Sequence, residues 1–122
     1  MRLNWTQALS RALPLLVVLG LTGCSTVLPV DLQAKLASNG SADDHMAAAV
    51  LYQSRISRLE ADADRYQALA STISLHEDPK GFRRSALLTA AQEARSQAKQ
   101  MEARYAEHVE QAQAMYGKTK QD

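Results

Sequence analysis

From Ser41 onward, apolar residues return every three or four positions, with charged and polar residues filling the gaps. A first stripe runs Ala49, Tyr52, Ile56, Leu59, Ala63, Tyr66, Ala70 and Ile73. That alternation is the signature of a helix burying one face over more than three heptads. Arg58, Glu60, Asp62, Asp64, Arg65 and Gln67 occupy the other face. Ser41, with Asp44 three residues on, has the form of a capping box in which Asp replaces the usual Glu. Asp43 and Asp44 also suit the positive end of a helix dipole. The pattern predicts a helix over 42–73.

Ser74 to Gly81 breaks the stripe. Asp78 followed by Pro79 is a start signal, because a proline in the first turn gives up no needed hydrogen bond. Gly81 weakens that turn, so the start falls between 79 and 83. A second stripe then runs Leu87, Ala91, Ala94, Ala98, Met101, Tyr105, His108, Ala112 and Met115. Gly117 fits the left-handed position just past a helix end. The second helix is predicted over 80–116.

Two helices of similar length joined by a short turn pack as antiparallel neighbours. The predicted fold class is therefore all-α: a long two-helix hairpin, each arm about 50 Å long. Residues whose numbers sum to about 155 should face one another across it. The alanines on both stripes let the backbones approach closely. Such a hairpin has a thin core, and small chains usually need a staple or a partner. Leu51, Leu69, Leu88 and Val109 lie off the main seam and are read as a second apolar strip. The expectation is self-association into a four-helix bundle, or docking on another protein.

Upstream, the pattern is different. Residues 1–11 carry Arg2 and Arg11 and no acid, followed by the apolar run Ala12 to Gly20. That run falls short of the ~20 apolar residues a spanning helix needs. A basic start, a short apolar centre and small residues at its end describe a secretory signal. Residues 25–40 are punctuated by Pro29, Ser38, Asn39 and Gly40 and read as a tether, in which Asp31 to Ala37 can form one or two helical turns ended by Asn39 or Gly40.

The signal ends Leu21-Thr22-Gly23-Cys24, and this chain has a single cysteine. The four residues resemble the lipobox of bacterial lipoproteins. The resemblance implies cleavage between Gly23 and Cys24, a diacylglycerol thioether on Cys24, and acylation of the new amino terminus. It also implies a membrane anchor, since three chains at ~0.8 kcal/mol per buried methylene make release negligible. Ser25 is not the Asp that often holds such proteins in the inner membrane. The address implied is the periplasmic face of an outer membrane. The expected organisation is a leader (1–23), a lipidated cysteine and tether (24–40), the hairpin (41–117) and a tail (118–122). The layout resembles that of small helical envelope lipoproteins.

Composition narrows the function. Alanine is abundant and β-branched residues are sparse after residue 30, which favours helix. Beyond the leader, 12 Lys and Arg face 13 Asp and Glu. A chain this neutral has no long-range pull on nucleic acid, and no nucleic-acid partner is expected. One cysteine allows no internal disulfide. There is no Gly-rich phosphate loop, no His-Glu-x-x-His pair and no nucleophile elbow. No catalytic residue, small-molecule substrate or cofactor besides the lipid is expected.

Two groups of residues keep a functional reading beside a plain one. The first is the turn: Phe82 as an apolar anchor, with Arg83 and Arg84 gripping carboxylates or phosphates on a partner. The plain alternative has Asp78 capping the second helix, Phe82 folded onto the hairpin end near Ile73 or Leu75, and both arginines solvated. The second group is His45 and His108, whose numbers sum to 153 and which share the seam phase. Imidazole plus carboxylate, from the adjacent Asp44 and Glu107, suits zinc or copper, and facing imidazoles also suit a proton near neutrality. The plain alternative is two polar seam residues near fraying ends.

Overall fold

In a computed structural model, residues 27–120 are described. They form three helices: α1 (Val30–Asn39), α2 (Ala42–Thr72) and α3 (Phe82–Thr119). The last two pack as a long antiparallel hairpin, and α1 meets α2 alone among the helices.

The start of α2 follows the sequence closely. Ser41 Oγ accepts the N–H of Asp44 at 3.1 Å, and Asp44 Oδ2 accepts the N–H of Ser41 at 3.0 Å. Two otherwise orphaned donors are satisfied reciprocally. The Ser41 N–H, and after it the Ser41 hydroxyl donating to Oδ2 at 2.8 Å, hold the Asp44 carboxyl below its ordinary value of 3.8. The helix ends one residue before the expected position, with Ile73 in an extended conformation.

Every seam position read on either arm is buried or half-buried. On α3, the residues between them are exposed except for Arg84, Ala90 and Val109. The core joins Ile56, Leu59 and Ala63 to Ala91, Ala94 and Ala98, with Tyr66, Met101 and Tyr105 packed against it. Most of the buried apolar positions are alanine. Small side chains bring the helix axes together, but each removes little apolar area from water. Ile56 and Leu59 therefore carry a large share of the burial.

Four features depart from the sequence reading. The segment expected to be mostly tether holds the ten-residue α1. It is started by Pro29, whose carbonyl accepts Gln33 N–H at 3.0 Å, and by Gln33 Nε2 donating to Leu28 O at 2.7 Å. Next, α3 begins at Phe82, inside the 79–83 window but two residues past the predicted 80, because Gly81 takes a left-handed conformation at φ 72° that breaks the helical path. At the other end, α3 runs through Gly117 to Thr119. The left-handed cap expected at Gly117 needs a positive φ, which Gly117 does not adopt.

The fourth departure concerns the second apolar strip. Leu69 borders a shallow groove with Thr72, Arg83 and Leu87, while Leu88 borders another with Gln67, Ser71 and Arg84. The two leucines lie on opposite flanks of the seam. Leu51 and Val109 are half-buried. No single strip forms from the four.

Candidate functional site

Gly23 and Cys24, the leader before them and residues 25–26 lie outside the described residues, as do 121–122. No described helix is long and apolar enough to cross a membrane.

At the turn, two local motifs set the geometry. Ser74 and Glu77 repeat the α2 start in miniature: Ser74 N–H donates to Glu77 Oε2 at 3.0 Å, and Glu77 N–H donates to Ser74 Oγ at 3.3 Å. The Ser-x-x-Glu spacing was the available signal for it. Asp78 is 6% exposed, and its Oδ2 accepts the N–H of Arg84 at 2.9 Å. That bond, with help from the N–H groups of Arg83 and Phe82, lowers its carboxyl below 3.8 despite the burial. Asp78 thus caps α3 from beyond the glycine.

The three tip candidates separate. Phe82 is 71% exposed and does not fold onto the hairpin end. Leu75, which the sequence reading used only as a docking place for Phe82, is 72% exposed. Arg84 turns inward, its guanidinium donating to Ile73 O at 2.7 Å, so it closes the end of α2. Arg83 stays exposed, and its charge helps to keep Glu77 and Asp78 ionised. The surface offered at the tip is therefore Leu75, Phe82 and Arg83.

At the open end, the histidines meet. His45 Nδ1 and His108 Nδ1 lie 2.9 Å apart, with ring centroids at 5.2 Å. His45 is 8% exposed and His108 is half-buried. Tyr52 stacks on His108 at 5.6 Å, and the Tyr116 hydroxyl donates to Asp43 across the same end. Tyr52 was visible as a seam residue, but neither its stacking nor the Tyr116 bond follows from spacing alone. Burial, then the neighbouring His45 charge, lowers the proton affinity of His108; Glu107 opposes this and Arg104 adds to it.

A zinc or copper site needs more than two ligands. Among the described residues, no group of three or more His, Cys, Asp or Glu side chains is placed to hold a metal ion. Asp44 is committed to Ser41, and Glu107 pairs with Arg104 at 3.2 Å. The two imidazoles are bonded to one another, an arrangement that takes a proton between them.

Between the two ends, Arg95 bridges the arms to Asp64 at 3.3 Å and to Gln67. This pair is exposed and contributes little. Comparison with protein families, curated proteins and solved structures finds no match to this chain.

Proposed function

We infer that this chain is a lipid-anchored envelope protein whose helical hairpin presents its tip to a protein partner, without catalysis. The supporting observation is the placement of Leu75 and Phe82. They are the most exposed large apolar residues of the hairpin, and both lie at its turn. Chain leading from Cys24 enters at the other end, about 46 Å away along the 31 residues of α2. Apolar side chains held in water by a capped turn make sense as anchors for a partner. Arg83 beside them adds a cation suited to a carboxylate on that partner. The lipobox resemblance at Leu21 to Cys24 supplies the anchor in this reading.

Two variants test it in the native cell. Cys24→Ser should yield an uncleaved precursor that anchors poorly; normal maturation of that variant would defeat the anchoring half. A Leu75→Ser, Phe82→Ser double variant should remain folded and membrane-bound, yet fail to replace the wild-type protein. Full replacement would defeat the tip half.

A further inference from the structure

We propose that His45 and His108 form a one-proton latch that closes the open end of the hairpin and releases it on acidification. This goes beyond the tip-presentation reading and does not depend on it.

The geometry carries the argument. Two Nδ1 atoms 2.9 Å apart form a hydrogen bond only when one carries a proton and the other offers a lone pair. The neutral pair meets that condition with opposite tautomers. Adding one proton still permits it, with the charged ring donating to the neutral one, but it places a charge in a partly buried site. Adding a second proton destroys it, because both Nδ1 atoms then carry hydrogens pointing at each other and two like charges meet. The pair therefore binds protons in two coupled steps, and the second opposes the closed hairpin.

The surroundings offset only part of the second charge. His45 is buried, and its Nε2 edge faces Gly40 and the Leu36 side of α1: a Cβ at Gly40 would meet Nε2 at 3.3 Å. On α2, the neighbouring carboxylate Asp44 attracts a charged His45, but it already accepts from Ser41 and also interacts with Lys35 of α1. On α3, Glu107 and Arg104 flank His108 and offset each other. Tyr52 covers the His108 ring face. Relief comes from separating the arms. The contacts then released are those of Ala48, Ala49 and Ala112, which are almost fully buried beside the latch.

The sign follows from proton affinity. His108 in the closed state titrates below its ordinary 6.5, first because of burial and then because of His45. The opened state binds protons more readily. Closure is therefore fully favoured above about pH 6.5 and is lost as the pH falls through the lower, closed-state value. The tip lacks such a pair, so opening should begin at the open end.

Amide hydrogen exchange of the full chain in detergent micelles tests this, with rates corrected for intrinsic pH dependence. Between pH 7.5 and 5.5, protection of residues 42–52 and 108–119 should fall about tenfold relative to residues 56–70. His108→Gln should remove that difference. Parallel behaviour of the segments in the wild type, or an unchanged difference in the variant, would overturn the latch. Nitrogen-15 resonances of the wild-type rings provide a check that needs no variant. At pH 7.5 one ring should be protonated at Nδ1 and the other bare there; two rings protonated only at Nε2 would overturn it. One equivalent of zinc chloride should leave those resonances in place. Their stoichiometric displacement would mean the site holds a metal instead of a proton.

Discussion

The Asp78 carboxylate reaches six residues forward to accept the Arg84 N–H, while the Arg84 side chain reaches back to the Ile73 carbonyl. One end of each arm is thus closed through the same turn. Asp78→Ala should leave the first N–H groups of α3 without a partner and fray its first turn. The melting temperature followed by circular dichroism should fall by roughly 5 °C. Arg84→Ala should also destabilise, whereas Arg83→Ala should not.

The two glycines of the hairpin should respond in opposite directions. Gly81 is left-handed, so Gly81→Ala forces a side chain into a strained conformation and should cost about 1–2 kcal/mol. Gly117 lies inside α3, where an added methyl would meet nothing within 4 Å. Gly117→Ala should therefore stabilise by ~0.5–1 kcal/mol. Urea denaturation of the two variants checks both signs.

Core and tip should separate in the same way. Ala63 is fully buried at the seam, and Ala63→Leu should force the arms apart at a cost of about 1–3 kcal/mol. Leu59→Ala should cost ~2–5 kcal/mol by opening a cavity beside Ile56. Phe82→Ser should change stability by less than about 0.5 kcal/mol. A large loss from Phe82→Ser in urea denaturation would mean that the side chain packs on the hairpin after all.

The arms were legible because their stripes are long: a 3.6-residue period sustained over several turns leaves no competing strand reading. The His45–His108 pairing followed from the same register once the arms were set antiparallel. The α1 helix was legible only as one or two turns over 31–37 ended by Asn39 or Gly40, because its ten residues show too few turns for a stripe to fix its start and length. Gly117 misled because continuing a helix through one glycine costs only ~1 kcal/mol, which neighbouring turns absorb. Grouping Leu69 with Leu88 relied on hydrophobicity and ignored angle. Which flank of a seam a residue occupies depends on its phase around each helix, and an antiparallel partner reverses the sense. The exposure of Phe82 was left open by the sequence, because a side chain beside a glycine turn can go either way.

Acid should act on this protein in two separate windows. The latch responds below about pH 6.5. Asp44, Glu77 and Asp78 all titrate below their ordinary values of 3.8, 4.5 and 3.8, chiefly through backbone N–H groups they accept from. Carboxyls depressed in the folded state stabilise it above their unfolded values, and that contribution is lost as the pH falls through the folded ones. Both helix starts and the turn should therefore weaken below about pH 4. A melting-temperature profile from pH 8 to 2.5 should show two descents, and Glu77→Gln should diminish only the lower one.

Anchoring is the claim on which the functional account rests, and the mass of the amino-terminal peptide tests it most directly. Protein extracted from native membranes should begin at Cys24 and carry the added mass of a diacylglycerol thioether and an amide-linked acyl chain. A peptide that retains residues 1–23, or one that begins elsewhere with an unmodified Cys24 thiol, would contradict it.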